Sequence, residues 1–573
     1  MVRGTLTSLK NLLTKEQNEI ISAVSMLMVL ALVTKVTGMI FLTLVAREFG
    51  ASSETDSFYL ASVIPETITN IILLGAISGS IIPIFVKVRE DFGEKKFVKS
   101  FSSTMNTAML SFVIMSVVAA IFSRQLVPFA MQLVNSDVIT DPAEINNIVW
   151  MMRIMLIPQI ILGLSAFIST SLNIYHRFII PQLAPLFFNV GKIVGILVIV
   201  PLLGGSIWGL VLGTLLGSTL HLVVQLPLLR HLNINFKLLY FDLKDKYFKE
   251  VVKLGFPRIV SLGVEQIAII VDSILAFGLT TGSLTAYQLG VRLIAIPLNL
   301  FGTTYSIASF PTLSKQFANG KKVEFQLMVN KVLNQMFFLA IPVTVVLFVL
   351  RIPIVRLVYG ILGGNFTWTD TLQVAWVVMF FSFGLVFETM RSVMFRVYYS
   401  MHNSMLPLIS SVFVVVFGII TGILFTNYFS HFSSFSLHDL TYSPEFFLTK
   451  GNGDAGVGGL ALSSSLVFSL EFFFLLAVLY KKQVIGKFST FIDQVGRKFL
   501  AGLVMLIISY AMLKLWDEVL NTARTLPLII LTSTTIASSI MLYIWTSFIL
   551  KVPEVELFIS FLVRSVRSLK RKR

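Results

Sequence analysis

The chain has 573 residues, of which 55% are hydrophobic and only 13% charged, with a formal net charge of +16. That balance excludes an ordinary soluble enzyme, whose surface needs about a quarter of its residues charged. Cysteine is absent, which excludes disulfides, thiol chemistry and zinc sites built on Cys.

A spanning helix needs about 20 predominantly apolar residues. Fourteen such stretches are predicted, at 20–45, 57–86, 100–123, 148–173, 178–203, 206–229, 254–278, 284–313, 327–350, 372–399, 404–427, 457–480, 499–516 and 526–550. The expected fold class is an all-α polytopic membrane protein. The first stretch lacks a cleavage site of small residues and reads as an anchored helix rather than a removed signal peptide. Most of the 45 Lys and Arg fall on segments of one parity: Lys87 to Lys99, Arg230 to Lys253, Lys481 to Lys498 and the tail Arg564 to Arg573. By the positive-inside rule those segments and both termini are cytoplasmic. The positive charge thus reads as topology plus attraction to anionic lipid, and no nucleic-acid partner is expected.

In chain order this gives a cytoplasmic N-terminus (1–19), an N-lobe of spans 1–6 (20–229) and a basic linker (230–253). A C-lobe of spans 7–12 (254–480), a second linker (481–498), spans 13–14 (499–550) and a basic tail (551–573) follow. The two lobes read as copies of one unit. FGASSETDSFYLASVIP ends at Pro65, and FGLTTGSLTAYQLGVRLIAIP ends at Pro297. Gly50 precedes Pro83 by 33 residues, and Gly278 precedes Pro311 by the same interval. SIWGLVLGTLL around Gly209 resembles VGGLALSSSL around Gly459. Six spans separate equivalent positions, so the copies share one orientation and form parallel repeats. The C-lobe's excess length falls in an external insertion, 429–455.

Pro and Gly recur within spans, and Pro65, Pro83, Pro297 and Pro311 are the expected hinges. Each removes a backbone hydrogen bond, which a membrane tolerates only against protein or water. Gly75, Gly79, Pro158, Pro181, Pro185, Pro257 and Gly302 add to this pattern. Charges inside spans are costly and are functional candidates. They are Lys35, Arg153, Lys192, Arg258, Glu265, Asp272, Arg292, Glu388, Arg391 and Glu471. Arg258, Glu265 and Asp272 are seven apart, about two helical turns, and share a face. Arg153 and Arg258 lie near span ends and can snorkel. Glu388 and Arg391 are close enough to pair on their own helix. Lys35, Lys192 and Arg292 are deep cations suited to an anionic head group. Asp272, and Glu265 beside it, suit a sodium ion or proton driving a cycle. There is no phosphate-binding loop, HExxH or G-x-S-x-G, so no enzyme and no ATP hydrolysis are expected.

The stretch VTKVTGMIFLTLVAREFGASSETDSFYLASVIPETITNIILLGAISGSIIPIF resembles the opening of the MurJ (MviN) lipid II flippase family. That family belongs to the multidrug/oligosaccharidyl-lipid/polysaccharide exporter superfamily. The likeness continues in SLNIYHRFIIPQLAPLFFN, HLVVQLPLL, VRLIAIPLNLFGTTYSIASFPTLSK and VGGLALSSSL, in register through spans 1–12. The resemblance implies two six-helix lobes around a cavity, with spans 13 and 14 forming a groove for a lipid tail. It implies an alternating-access flippase in the bacterial cytoplasmic membrane. The cargo would be undecaprenyl-pyrophosphate-linked peptidoglycan precursor, moved from the inner to the outer leaflet. The implied partners are that lipid-linked glycan, membrane lipids, and cell-wall synthesis or division proteins. Lys35 stands where the family has an arginine, Arg292 matches a span 8 arginine, and Asp56 matches the acidic residue opening span 2. Phe41 and Thr69 occupy two further arginine positions, and Lys192 is the candidate replacement. Asp272 matches an aspartate linked with sodium, but span 11 offers no Asn or Asp near Gly418 to Gly422. The missing cations keep a second cargo open: another polyprenyl-linked oligosaccharide, such as a capsule or O-antigen unit. A membrane glycosyltransferase is the remaining alternative. It would need acidic residues on a sizeable external loop, and the two largest, Arg124 to Asn147 and Asn427 to Gly456, hold only Asp137, Asp141, Glu144, Asp439, Glu445 and Asp454.

Overall fold

The computed structural model describes residues 20–74, 81–133, 141–432, 451, 453–486 and 488–556. Gly75, Gly79, the Arg258 and Pro257 side chains, segment 1–19, most of insertion 429–455 and tail residues 557–573 lie outside the described residues. Among those described, all regular structure is helical. Twelve helices are long and apolar enough to cross a membrane, and they correspond to spans 1, 3–6 and 8–14. Span 7 falls on the continuous helix Lys246–Phe277 and span 2 begins in the helix Ser53–Thr69, but neither is among the twelve found from the described residues, so the expected fourteen is not reached.

Packing divides the chain into two compact units. The first ends at Thr285 and takes in Leu362–Phe366; the second holds Ala286–Ile361 and the chain from Thr367 onward. The first contains α1 (Ile20–Phe49), α2 (Ser53–Thr69), α3 (Ile81–Leu133), α4 (Pro142–Ile174), α5 (Ile179–Val194), α6 (Trp208–Val223) and α7 (Lys246–Phe277). Local chemistry sets their starts. Ser52 and Thr55 form a capping box at α2. Asp141 caps α4 ahead of Pro142 at its first position, where a missing N–H costs nothing. Within α3 the chain turns at Gly93, whose φ of 77° is open to glycine.

Glycine decides how α5 meets α6. A Cβ on Gly191 would lie 2.3 Å from the Gly217 Cα, and one on Gly195 would lie 2.5 Å from the Gly213 Cα. Gly191 and Gly195 on one helix, with Gly209, Gly213 and Gly217 on the other, are spaced by four. They form the small-residue stripes that let membrane helices touch backbone to backbone. The basic linker is ordered against α3. Backbone N–H groups of Lys237 and Asp242 donate to Ser102 and Ser103 Oγ, and Lys96 pairs with Asp245 at 2.8 Å. Helix α7 packs on α2 and α3 within this same unit.

Residues opening α8 (Ser283–Pro297) belong to the first unit, and the rest of that helix belongs to the second. The second unit continues with α9 (Thr304–Ala318), α10 (Lys322–Val349), α11 (Trp368–Ser400), α12 (Met405–Phe429), α13 (Gly456–Lys481), α14 (Phe488–Val519) and α15 (Thr525–Ile549). Helix α11 is its centre, packing on α9, α10 and α13. Gly384 on α11 approaches Ser465 of α13, with 2.4 Å between a built Cβ and the Ser465 Cα. Helix α14 packs on α10 and α15. Lys498 is fully buried there, donating to Asn334 at 2.5 Å and pairing with Glu554 at 3.2 Å.

Among the described residues three spans carry a π-helical segment, two of them at matching places in the chain. Asn70–Leu74 follows α2, and Leu298–Thr303 joins α8 to α9. Asn70 and Leu298 are 228 residues apart, the same offset that separates Gly50 from Gly278 and Pro83 from Pro311. The irregular turn therefore falls at corresponding places in the two stretches that resemble one another in sequence. Such wide turns are rare and leave backbone groups looser than in an α-helix. Pro65 lies inside α2 one turn before its π segment, and Pro297 directly precedes the other. Pro311 sits within α9, and Pro83 in the first turn of α3. A third π segment, Gly195–Ile199, extends α5.

Candidate functional site

In the first unit the polar groups inside the spans collect on α1, α2, α4, α5 and α7. Lys35 is exposed on α1. Asn189 of α5 anchors the adjoining turn, donating to the Thr34 carbonyl at 3.0 Å and to Thr37 Oγ1 at 3.3 Å. Gly38 makes room for it, since a Cβ there would meet Asn189 Nδ2 at 3.4 Å. Lys192, one turn along α5, is half-buried. Its Nζ lies 3.9 Å from the Phe41 ring centroid and 4.8 Å from that of Phe188. An ammonium over an aromatic face is held by the ring quadrupole, worth about 0.5–2 kcal/mol. The structure thus brings Lys192 to position 41, where the resemblance expected an arginine.

At the second such position, Thr69 donates to Gln159 Oε1 at 2.8 Å. The next residue, Asn70, opens the π segment and donates to Gln266 Oε1 at 3.3 Å. Gln159 and Gln266 are buried. These uncharged amides were not singled out from the sequence, which was searched for charges; amides inside apolar spans were the available signal. Glu265 and Asp272 are half-buried on α7.

Asp56 is buried, and both its oxygens are engaged. Oδ2 accepts from the Gly282 N–H at 2.6 Å; Oδ1 accepts from the Thr285 N–H at 2.7 Å and its hydroxyl at 2.6 Å. These are the donors that open the helix Ser283–Pro297, α8, so Asp56 acts as a helix cap supplied from α2. Gly282 has a φ of 87°, and a Cβ on it would lie 2.4 Å from the Ala51 carbonyl oxygen.

In the second unit Arg292 is half-buried on α8. Arg391 of α11 pairs with the fully buried Glu471 of α13 at 2.7 Å, so its structural partner is across the helix interface rather than Glu388 alone. Gly302 in the π segment rests on Thr389 of α11. An apolar cleft of about 590 Å³ opens among α10, α11 and α14, walled by Ile341, Phe383, Phe387, Leu500, Leu503 and Leu506. In the first unit, Arg153 donates from Nε to the Ala120 carbonyl at 3.0 Å and to Ser123 Oγ at 2.9 Å, which ties α4 to α3. No group of metal-ligating residues occurs among the described residues.

A many-helix fold with π-helical turns in its spans and half-buried intramembrane cations is that of a polytopic membrane protein, and solved structures share it. A lipid II flippase MurJ in an inward closed conformation superposes with a TM-score of 0.69 at 23% identity, covering 91% of this chain and 98% of that one. An inward-facing multidrug resistance MATE family transporter of the MOP superfamily gives 0.58 at 12% identity, covering 78% and 95%. The likeness to both is one of fold. The sequence model of the family described as lipid II flippase MurJ matches residues 45–437, and the chain belongs to that family. A probable lipid II flippase MurJ of Buchnera aphidicola subsp. Acyrthosiphon pisum is 24% identical over 492 residues, 85% of this chain and 90% of that protein. The lipid II flippase MurJ of Burkholderia cenocepacia is 26% identical over 404 residues, 70% and 77% respectively. The protein is a multi-pass protein of the bacterial inner membrane.

Proposed function

We propose that this protein is an alternating-access flippase that moves lipid II, the undecaprenyl-pyrophosphate-linked peptidoglycan precursor, from the inner to the outer leaflet. The observation that carries this reading is the family match over residues 45–437, which takes in Asp56, Lys192, Asp272 and Arg292. Both termini are cytoplasmic in this reading, as the Lys-rich segments require. The work is transport, with no bond made or broken.

Lys35, Lys192 and Arg292 attract the pyrophosphate, since cations in a low-dielectric surround bind phosphate far more strongly than in water. Asp56 serves the site by fixing the turn at Gly282 to Thr285 rather than by touching cargo. The prenyl chain needs an apolar surface continuous with lipid. The 590 Å³ cleft on α14 supplies one, with α10 and α11 completing its walls. Asp272 and Glu265 take up a sodium ion or proton that couples the cycle. The π segments beside Pro65 and Pro297, with Pro83 and Pro311, give the spans their places to bend. Cell-wall synthesis or division proteins are the expected protein partners.

A second reading, a different polyprenyl-linked oligosaccharide as cargo, is favoured by one observation: Phe41 and Thr69 stand where family arginines are expected. Rescue of cells depleted of their own lipid II flippase separates the two. Restored growth together with lipid II exposed to an impermeant probe is the expected result. Well-inserted protein that restores neither would move the assignment to the other cargo.

A further inference from the structure

A cleft of about 860 Å³ lies at one end of the first unit, where the turn before α2, the first turns of α4 and the turn before α6 meet. The proposed topology places this end outside the cell. Its walls combine two indoles with fixed polar groups. Trp150 is 46% exposed on α4. Trp208 opens α6 and is held in place by its Nε1–H, which donates to Asn147 Oδ1 at 3.1 Å. Glu144 accepts from Ser53 Oγ at 2.5 Å, which fixes the carboxylate on the wall. Ser57 also lines the cleft. It is 2% exposed, and its hydroxyl finds no hydrogen-bond partner among the described residues. Helical serines ordinarily satisfy themselves on a carbonyl one turn back, so a buried serine hydroxyl left unmet beside a cleft points to a ligand that completes it.

We infer that this cleft is a saccharide-binding site that receives the pyranose head group on the outer side of the membrane. The chemistry selects this ligand. A pyranose has an apolar C–H face and a rim of hydroxyls; an indole offers a broad apolar face for the first. The Asn147 side-chain amide donates, the Glu144 carboxylate accepts, and the Ser57 hydroxyl does either. Polar side chains outnumber apolar ones on the wall, with Asn146 and Ser206 joining those already named, which suits a ligand rich in hydroxyls. Because Asn147 and Ser53 already restrain Trp208 and Glu144, the walls are preorganised and little order is lost on binding. None of the intramembrane cations assigned to the pyrophosphate lines this cleft. The assignment rests on the flippase reading only for which saccharide arrives.

The test uses the full chain in detergent, with N,N′-diacetylchitobiose as the probe, followed by saturation-transfer NMR. Saturable binding is expected, weakened at least about tenfold by Trp150→Leu and by Glu144→Gln. Thermal unfolding verifies that each variant is folded, and Ser57→Ala provides a third variant that removes one hydroxyl alone. Absence of saturable binding to the wild type, or binding unchanged in folded Trp150→Leu and Glu144→Gln, overturns the site. Binding of a lysine-containing peptide in place of the sugar overturns it too, because the cleft would then be reading a cation. Translocation of labelled lipid II by liposomes is scored separately. Translocation without sugar binding removes this site and leaves the flippase; sugar binding without translocation does the reverse.

Discussion

Lys192 shows how one side chain can take over a place left by another. Its ammonium rests on Phe41 and Phe188, with nothing in Phe41 to repel it. If it supplies the cation missing at position 41, Lys192→Gln removes one charge-assisted contact, worth about 1.5–3 kcal/mol, and transport should fall by roughly tenfold or more. Adding Phe41→Arg to that variant should restore most of the rate, scored as lipid II exposed in the outer leaflet. Unchanged transport in Lys192→Gln alone would remove the residue from the site. Intramembrane charges of this kind were legible in the sequence, because a charge in an apolar run stands out. Their partners were not. Whether Arg391 finds Glu388 on its own helix or Glu471 on another depends on which helix packs beside it, and spacing along one span holds no record of that. The same holds for Asp56, visible as an acidic residue opening span 2 but not as the cap of Gly282 to Thr285.

Elements are held here mainly by shape. Lipid is as apolar as leucine, so helices gain little by hiding apolar surface from it and must gain by fitting closely. The α5–α6 seam is the tightest case. Gly195→Leu or Gly213→Val would push backbones apart, and overpacking typically costs about 1–3 kcal/mol, more where no flexible side chain can yield. Reduced thermal stability and yield of folded protein are expected for both. Gly418 on α12 makes the control, since a Cβ there meets nothing within 4 Å. Gly418→Ala should leave the melting temperature level or slightly raised, by the usual helical preference for alanine of about 0.5–1 kcal/mol. Glycine spacing was readable in the sequence; which stripe met which became plain only with both helices in place.

The linker contact between Lys96 and Asp245 adds a pH dependence at the inner face. The hydrogen bond to Asp245 holds the Lys96 ammonium above its ordinary value, partly offset by burial. Burial pushes the Asp245 carboxyl up, but hydrogen bonds from Lys96 and Ser100 outweigh this and leave it below its ordinary value. The lysine's contribution is complete below its unfolded pKa of 10.5 and is lost as pH rises through its higher folded value. The aspartate's contribution is complete above 3.8 and is lost as pH falls through its lower folded value. Asp245→Asn should therefore lower the melting temperature near neutral pH, modestly because Lys96 is exposed. The gap to wild type should close on acidification below that range; a gap that stays constant would show that packing, not charge, is at stake.

At the scale of the whole molecule, hydropathy alone makes the all-helical, many-span architecture legible, because each apolar run is long enough to span a bilayer as a helix. Span number was the exception: spans 2 and 7 each contain a helix, Ser53–Thr69 and Lys246–Phe277, but neither is among the twelve found from the described residues. A chain with no native cysteine is ready for accessibility mapping without background. Single cysteines placed at Leu238 in the linker and at Gly363 should differ. An impermeant maleimide should label Gly363→Cys in intact cells and Leu238→Cys only after permeabilisation. The reverse pattern would invert the topology and move the Trp150 cleft to the cytoplasmic side. The two π segments carry a different message, about ancestry. A π turn is a local departure from α-helical hydrogen bonding. Were the two lobes copies of one ancestral unit, a bend at the same 228-residue offset in each is what inheritance from that unit would leave.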